Sequence, residues 1–256
     1  MTELESHCEL LRSLQRPGDP LLLPNAWDVA TARAVVAARF PVVATTSAGV
    51  AATLGYEDHE GAPGHEMLAA AERIARGVEV PVTVDAEAGY GMAPAELVAA
   101  LRSAGAAGCN LEDTDHAAGR LRDRDRHAEW LHAVRQAASD AGYPLVINAR
   151  VDVFLGGFLA GAGPGTQEEL VPEALRRATA YLEAGADCVY PIALWETEAL
   201  RSFLSEIRGP VNVTRGAQSP SLTELAALGV ARVSWGPYLY WEAMARFEDR
   251  LASLQE

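Results

Sequence analysis

Acidic side chains lie at the ends of two neighbouring segments whose composition predicts buried β-strands. Asp85 and Glu87 end the segment PVTVDAE, and a spacing of two places both side chains on the same side of an extended chain. Glu112 ends the next such segment, GCNLED. Crowded carboxylates raise one another's pKa, and a bound divalent cation is the simplest compensation for their repulsion. Because this set contains only oxygen ligands and no histidine, it favours Mg²⁺, with Mn²⁺ as the alternative, over zinc.

Uncharged polar residues and one arginine lie at the ends of other predicted strands. They are Thr45, Thr46 and Ser47 after the second strand, Asn148 and Arg150 on the fifth, and Asn212 and Thr214 on the seventh. A single residue of this kind is equally well explained as an ordinary polar strand end. Three carboxylates that converge beside an arginine are better explained by a binding or catalytic site.

These residues need a scaffold that brings strand ends together, and the periodicity of the chain predicts one. Strands are predicted at 20–24, 41–46, 81–87, 108–113, 144–150, 187–192, 210–214 and 231–235. Helices are predicted at 28–39, 66–77, 94–104, 126–141, 171–184, 196–207, 221–228 and from 238. Eight such pairs predict an α/β fold, a (β/α)8 TIM barrel that forms a single domain over 1–256 with an extra N-terminal helix.

In a TIM barrel the chemistry lies at the carboxyl ends of the strands, where the polar residues above are found. The loop GGFLAGAGPGTQ at 156–167 follows the fifth strand and is either a tolerated surface insertion or a functional lid. The six histidines form no HxH or HExxH pattern. His59, His65 and His116 lie in loops at the functional end, whereas His7, His127 and His132 lie on predicted helices and are expected at the surface.

Composition excludes several classes of function. A formal net charge of −14 and a pI of about 4.9 argue against nucleic acids or anionic membranes as partners. All 21 basic residues are arginine, and the absence of lysine excludes Schiff-base aldolases, pyridoxal enzymes and P-loop lysines. Scattered cysteines, an acidic N-terminus unlike a signal peptide, and no apolar run long enough to span a membrane predict a cytoplasmic protein.

Several segments within 20–240 together resemble one known superfamily. In chain order they are LLLPNAWDVATAR, ATTSAGVAATLGYED, PVTVDAEAGYG, GCNLED, INARVDVFL and PVNVT. This combination is similar to the isocitrate lyase/phosphoenolpyruvate mutase superfamily. The resemblance implies that Asp85 is the principal metal carboxylate, directly or through waters, and that Glu87 and Glu112 complete an acidic cage.

The same resemblance implies a set of residues around the substrate. These are Thr45, Thr46 and Ser47, whose backbone amides would bind the substrate carboxylate, Arg150 beside the substrate's oxygens, and Asp58 and Asn212 reaching the same pocket. It also implies a homo-oligomer, a tetramer or a dimer. The amphipathic tail at 238–253 would either dock on a neighbouring subunit or pack on its own barrel.

Two loops depart from the superfamily pattern. The isocitrate and methylisocitrate lyases carry K-[KR]-C-G-H after the fourth strand, with the cysteine as acid or base, whereas 113–125 is DTDHAAGRLRDRD. The mutase and the phosphonopyruvate hydrolase carry EDK, a later asparagine, and a histidine–serine pair after the sixth strand. Here EDT replaces EDK, no asparagine follows, and the pair would fall near Pro191, Ile192 and Ala193. These departures argue against both known lyases and weaken phosphonate chemistry.

The residues and the resemblance together predict a Mg²⁺-dependent lyase that acts on a small 2-oxo or 2-hydroxy (di)acid. A metal-stabilised enolate would form by C–C cleavage or by oxaloacetate-type decarboxylation. Either Asp58, through water, or His116 would protonate that enolate. One alternative is a phosphonopyruvate-type C–P hydrolase or mutase, and the other is a non-catalytic barrel that binds 2-oxo acids.

Overall fold

The computed structural model describes residues 1–156 and 166–254. Within them, eight parallel strands occupy the predicted positions. They are β1 (Leu21–Leu23, continued after Pro24 by Asn25–Ala26), β2 (Val43–Thr45), β3 (Val82–Asp85), β4 (Gly108–Glu112), β5 (Val146–Val151), β6 (Cys188–Pro191), β7 (Asn212–Thr214) and β8 (Arg232–Ser234). Most of the loop predicted at 156–167, namely 157–165, lies outside the described residues.

The strands follow one another around a ring in chain order. β2 to β6 pair in succession, β8 pairs with both β7 and β1, and the continuation of β1 pairs with β2. A single parallel bridge, Val189 to Val211, joins β6 to the start of β7. Pro24 interrupts β1 because proline has no backbone N–H for the ladder. The predicted (β/α)8 fold class is therefore confirmed.

Helices cover the outside of this ring. They are α1 (Glu3–Leu14), α2 (Val29–Ala37), α3 (Ser47–Leu54), α4 (Gly64–Arg76), α5 (Pro94–Ser103), α6 (Arg124–Asp140), α7 (Val171–Glu183), α8 (Thr197–Glu206), α9 (Leu222–Ala227) and α10 (Tyr238–Ala252). All except α3 match predicted helices. The segment of α3, SAGVAATL, is almost wholly apolar, so it lacks the alternation of polar and apolar faces that marks a surface helix.

Local signals in the sequence set several helix ends. Asp28 caps α2 by accepting the Thr31 amide at 2.7 Å, and Ser221 and Glu224 form a reciprocal capping box on α9. The loop before α6 contains a short antiparallel hairpin, Thr114–Asp115 with Arg120–Leu121. The sequence does not predict this hairpin, because strands of two residues show no alternation.

The helix α1 closes the N-terminal face of the barrel, as predicted for an extra N-terminal helix. Its Arg12 donates to Asp187 at 2.8 Å and to the Pro144 carbonyl at 3.0 Å, at the beginnings of β6 and β5. Leu11 of the same helix is fully buried against Gly108. A Cβ on residue 108 would lie 2.8 Å from the Val146 carbonyl oxygen, which is backbone and cannot move aside, so only glycine fits there. This face is therefore filled by packing and ion pairs.

The prediction that His127 lies at the surface is wrong. The residue is 1% exposed on α6, and its ring contacts Trp130 and Tyr181 at centroid distances of 5.6 and 5.0 Å. Neither ring nitrogen has a hydrogen-bond partner among the described residues. Burial lowers the pKa of His127 to about 3, with the charge of Arg122 adding to the effect. The helix is only weakly amphipathic, so its sequence does not indicate which face is buried.

The C-terminal helix α10 has no buried residue. Its apolar side chains form a stripe at helical spacing, and their exposed fractions are 49% for Trp241, 36% for Met244, 56% for Phe247 and 46% for Leu251. Its first turn touches the barrel, where Tyr240 packs edge-on against Trp27. This apolar stripe is not covered by its own barrel. In the part of the chain that the structure describes, every helix is too short or too polar to span a lipid bilayer.

Candidate active site

A cavity of about 430 Å³ opens at the carboxyl ends of the strands. Part of its lining consists of predicted site residues, namely Thr46, Ser47, Asp58, Asp85 and Arg150. The remaining predicted residues, Thr45, Glu87, Glu112, His116 and Asn212, are not part of this lining. The contacts described below place most of them directly behind the wall that carries the carboxylates.

Asp85 ends β3 and is fixed by the neighbouring strand end. Its amide donates to Thr45 Oγ1 at 2.8 Å, and its Oδ2 accepts the Ser47 amide at 3.2 Å. Its Oδ1 is buried and has no partner among the described residues. Burial raises the pKa of Asp85 and the charge of Asp58 adds to this, whereas Arg150 and the Ser47 amide oppose it. Asp85 therefore presents an unpaired oxygen in a site that disfavours its charge.

Glu87 follows two residues later on a strained backbone. Its φ is +46°, a left-handed value that costs energy for a residue with a side chain. Its Oε2 accepts the Glu60 amide, and its Oε1 is buried without a partner among the described residues. Burial raises the pKa of Glu87 to about 9, with Asp85 adding to the shift. Without a nearby cation this carboxyl group is therefore protonated at neutral pH.

Glu112 ends β4 and is already occupied by two partners. It lies opposite Arg150 in the register of β4 and β5, and the two side chains form an ion pair. Its other oxygen contacts His116 Nε2. Burial raises the pKa of Glu112 to about 7, against the opposing effects of Arg150 and His116. Glu112 is thus linked both to the arginine of the cavity and to the histidine behind it.

Arg150 is held in one orientation by a second carboxylate. Its Nε and Nη2 donate to the two oxygens of Asp152 at 2.6 and 2.7 Å. Asp152 in turn accepts Thr114 Oγ1 at 2.5 Å and gives its amide to Asp113 at 2.9 Å. Such bidentate pairing fixes the plane of the guanidinium. Asp152 is not among the predicted site residues, although a carboxylate two residues after Arg150, in the turn that follows β5, was the available signal.

A further layer supports this arginine from α7. Asp113 accepts Arg177 Nη1 at 3.0 Å and the Tyr181 hydroxyl at 2.7 Å, and all three groups are buried. Because Asp113 also holds the Asp152 amide, the network connects α7 to Arg150. The orientation of the Arg150 guanidinium is therefore set by a chain of charge-assisted hydrogen bonds that reaches α7.

The loop that follows α3 covers the carboxylates. Asp58 lines the cavity and has one buried oxygen, Oδ1, without a partner among the described residues. His59 and Glu60 have φ values of +66° and +59°, and Glu60 accepts the Tyr90 amide at 2.6 Å. The rings of His59 and His116 lie 5.1 Å apart. Strained backbone concentrated in this way is common at ligand-binding sites.

The ends of β2 and β7 both contribute polar residues to the cavity. Thr46 precedes α3 without capping it, and the Ser47 amide is already taken by Asp85, so the amides left for an anion at this N-terminus are those of Ala48 and Gly49. Asn212 is fully buried, with its Nδ2 donating to Ser234 Oγ at 3.1 Å. Thr214, two residues further along β7, lines the cavity and bonds to the Tyr190 hydroxyl at 2.5 Å. The polar group that β7 presents to the cavity is thus Thr214.

Whether a metal fits here can be judged from the unpaired oxygens of Asp58, Asp85 and Glu87. Buried anions without partners are costly, and a divalent cation would supply the missing partner. No three His, Cys, Asp or Glu residues among those described come close enough to enclose a metal directly. Mg²⁺ usually retains several waters and binds one or two protein carboxylates. The residues therefore fit a hydrated cation at Asp85 better than a dry protein cage.

None of the three cysteines supplies an acid or base to this cavity. Cys8, Cys109 and Cys188 are free thiols that are fully buried in the core. Burial raises the pKa of each to about 12, so the thiolate form is not accessible at neutral pH. A proton transfer in this cavity therefore needs a group other than a cysteine thiol.

Comparison with known proteins identifies this arrangement. The family model for phosphoenolpyruvate phosphomutase matches residues 11–255. The chain belongs to that family. A crystal structure of a candidate phosphonomutase from Burkholderia cenocepacia J2315 has a TM-score of 0.88 and 41% identity, over 96% of this chain and 99% of that one. The resemblance to the isocitrate lyase/phosphoenolpyruvate mutase superfamily is confirmed.

Two further relatives are named as lyases. 2,3-Dimethylmalate lyase, whose structure is described as a member of the same superfamily, has a TM-score of 0.83 and 25% identity, over 100% of this chain and 85% of that one. A candidate 2-methylisocitrate lyase of Corynebacterium glutamicum is 31% identical over 241 residues, which are 91% of this chain and 77% of the relative. The chain is therefore an enzyme of a superfamily of carbon–carbon lyases and mutases.

Proposed function

We propose that this phosphomutase-family protein is a Mg²⁺-dependent lyase. It cleaves or decarboxylates a small 2-oxo or 2-hydroxy (di)acid next to the carbonyl carbon, through an enolate. The observation that carries the proposal is the pair of unpaired buried oxygens on Asp58 and Asp85, which line the cavity with Arg150, together with a third on Glu87. Similarity to 2,3-dimethylmalate lyase supports the same class of reaction.

Different residues of the site would bind the cation, the substrate carboxylate and the other substrate oxygens. Asp85 would hold the hydrated cation with Glu87 beside it, and Glu112, whose oxygens engage Arg150 and His116, would add negative charge behind them. The charge of the cation would stabilise the enolate oxygen. The amides of the first turn of α3 that follow Thr46 and Ser47, beginning with Ala48, would bind the substrate carboxylate. Arg150, fixed by its carboxylate partners, would orient the substrate oxygens without having to reorganise during the reaction.

Two groups, Asp58 and His116, are the proposed acids that would protonate the enolate. Asp58 lines the cavity, so it acts from the wall itself, through a water. His116 lies behind His59, so its proton would reach the cavity only through that ring or a water. Burial lowers the pKa of His116, but the hydrogen bond and charge of Glu112 outweigh this and leave it raised. Asp58 is the more direct acid because of its position.

The test is a turnover screen with Mg²⁺. The panel contains 2-oxo and 2-hydroxy diacids together with phosphonopyruvate, and the readout is release of pyruvate or glyoxylate. The expected result is metal-dependent release that is lost in Asp85→Asn. If no member of the panel turns over with any divalent metal, the lyase proposal fails and a non-catalytic 2-oxo acid-binding barrel takes its place.

A C–P hydrolase or mutase is the second candidate. The observation that favours it is the 41% identity to a candidate phosphonomutase, which exceeds the 25% identity to the lyase. Against it, the segment after β6 carries Ile192 and Ala193 in place of a histidine–serine pair. The same screen separates the two reactions, because phosphate release from phosphonopyruvate would replace the lyase proposal.

We further propose that the chain assembles as a homo-oligomer through α10. What supports this is the exposed stripe of Trp241, Met244, Phe247 and Leu251 on a helix with no buried residue. Contiguous exposed apolar surface of this kind is typical of protein interfaces. Light scattering after gel filtration would give the mass, and a monomer at micromolar concentration would overturn the proposal.

A further inference from the structure

The cavity has two chemically different halves. Its carboxylate half, from β2 to β5, contains Ser47, Asp58, Asp85 and Arg150. Its apolar half follows the ends of β5, β6 and β8 and contains Leu155, Ile192, Leu194, Trp195, Pro237 and Trp241. Because strands of an eight-stranded barrel face one another across the ring, β2 lies opposite β6. The two halves therefore face each other across the same space.

Of the polar groups in the apolar half, the Thr214 and Ser219 hydroxyls are already paired within the chain. The Thr214 hydroxyl is bonded to Tyr190, as described above. Ser219 Oγ accepts the Gly216 amide and donates to the Thr214 carbonyl, both at 2.9 Å. Gln218 is exposed at the rim. A ligand group in this half thus meets mainly apolar surface and satisfied hydroxyls.

In the described part of the chain, the apolar half contains no arginine to pair with a distal carboxylate. Among the described residues that line the cavity, Arg150 is the one arginine, and Glu112 and Asp152 already engage it. The other basic side chain in the lining, His59, follows Asp58 in the carboxylate half. A carboxylate in the apolar half would be desolvated without a charged partner, which is strongly unfavourable. The apolar half therefore selects against a substrate with a second acid group at that end.

A buried glutamine fixes the wall after β6. Gln167, which is 4% exposed, donates from Nε2 to the Ala193 carbonyl at 2.6 Å. Its Oε1 accepts the amides of Trp195 and Glu196, each at 3.0 Å. Ala193 itself has a φ of +63°, a strained value that these hydrogen bonds maintain. The apolar wall is therefore pre-organised, which lowers the entropic cost of binding against it.

The volume leaves room beyond a three-carbon acid. An apolar cavity of about 150 Å³ is enough to hold benzene. This cavity measures about 430 Å³, so a 2-oxo acid head group at Asp85 leaves space for a substituent that reaches the apolar half. We propose that the substrate is a 2-oxo or 2-hydroxy acid whose far end is an uncharged alkyl or aryl group, bound against Ile192, Trp195 and Trp241. This inference rests on the proposed function for the carboxylate half.

The test measures binding, so it does not depend on knowing the reaction. The dissociation constants of pyruvate, 2-oxobutanoate, 2-oxopentanoate, 2-oxohexanoate and phenylpyruvate are determined by calorimetry on the full chain with Mg²⁺, with 2-oxoglutarate as the charged comparison. We expect affinity to rise about fourfold with each added methylene. We expect 2-oxoglutarate to bind at least about tenfold more weakly than 2-oxohexanoate, because its second carboxylate is unpaired.

A matched pair of variants assigns the effect to the wall. Ile192→Val and Ile192→Thr have the same shape and differ in polarity. The preference for 2-oxohexanoate over pyruvate should be about fivefold smaller in the threonine variant than in the valine variant. The inference is overturned if affinity does not change along the series, if 2-oxoglutarate binds more tightly than 2-oxohexanoate, or if the two variants show equal preferences. In each of these cases the proposed function still stands, provided that pyruvate binds. Failure of every 2-oxo acid to bind with Mg²⁺ overturns both.

Discussion

The two halves of the cavity differ in whether their polar atoms already have hydrogen-bond partners within the chain. In the carboxylate half, Asp58 and Asp85 each retain a buried oxygen without a partner among the described residues, and the backbone is strained two residues after Asp85, at Glu87. In the apolar half, Thr214 and Ser219 are paired and Gln167 holds the wall through three hydrogen bonds. A half whose buried polar atoms lack partners is suited to binding and activating a ligand. A half whose polar atoms are already paired is suited to selecting which ligand fits. Each prediction below tests that division.

The largest effect should come from removing one charge in the carboxylate half. We expect Asp85→Asn to lower kcat/KM by about 10³-fold, the scale for loss of a preorganised electrostatic group. In EDTA at pH 8 the same variant should melt at a higher temperature than the original chain. The reason is that the raised pKa of Asp85 marks a carboxylate whose charge is disfavoured in the fold. Steady-state kinetics and thermal melts check the two effects.

The opposite end of the barrel offers a matched control for Asp85→Asn. Asp187 lies at the N-terminal face, where it accepts Arg12 and Arg135 at 2.8 and 2.6 Å. Asp187→Asn removes the same charge from paired surroundings, so it should lower the melting temperature and keep kcat/KM within about twofold. Retained Mg²⁺-dependent turnover in Asp85→Asn would show that the reaction lies outside the carboxylate half.

A smaller effect, on the free energy of unfolding, is expected from replacing Arg150, the arginine of the carboxylate half. Arg150→Lys loses the bidentate pairing with Asp152, and we expect it to lower the free energy of unfolding by about 3 kcal/mol. Arg176→Lys is the control, because its partner Glu173 shares an exposed pair worth less than about 0.5 kcal/mol. Urea unfolding measures both. Equal effects would mean that the network from Asp152 to α7 does not hold Arg150 rigidly.

Much of this division was predictable, because strand ends are visible in the sequence. Asp85, Glu87 and Glu112 follow apolar segments, and the resemblance of those segments to a known superfamily is confirmed by the family match. Their partners were less accessible. The contact of Glu112 with His116 depends on the hairpin at Thr114–Asp115 and Arg120–Leu121, whose strands are too short to show a pattern.

The apolar half was harder to predict for a different reason. Ile192 and Ala193 were noticed only as the place where a histidine–serine pair was missing, and nothing in the sequence joins them to Gln167. That contact spans more than twenty residues and depends on tertiary packing around β6. Burial of His127 was also missed, because periodicity on α6 is too weak to assign its faces.

The buried histidine gives a pH dependence to the layer behind the carboxylate half. The unfolded chain protonates His127 near pH 6.5, and the folded chain does so only near pH 3. Acid therefore favours unfolding, so this contribution is complete above pH 6.5 and is lost as the pH falls toward 3. Between pH 6.5 and 5 we expect a loss of about 2 kcal/mol relative to His127→Leu. Parallel pH profiles of unfolding for the two proteins would contradict this.

The smallest effect on the folded subunit should come from the stripe on α10. Phe247→Glu changes a side chain that is 56% exposed, so unfolding of an isolated subunit should shift by less than about 0.5 kcal/mol. If α10 binds a second copy, the same change should reduce the mass measured by light scattering. Arg246→Ala, on the opposite side of the helix, changes net charge equally and should leave the mass unaltered.

Because Trp241 of α10 lines the apolar half, the dissociated variant should lose preference for longer 2-oxo acids and keep its Mg²⁺-dependent affinity for pyruvate. Loss of both together would mean that the two halves do not act separately.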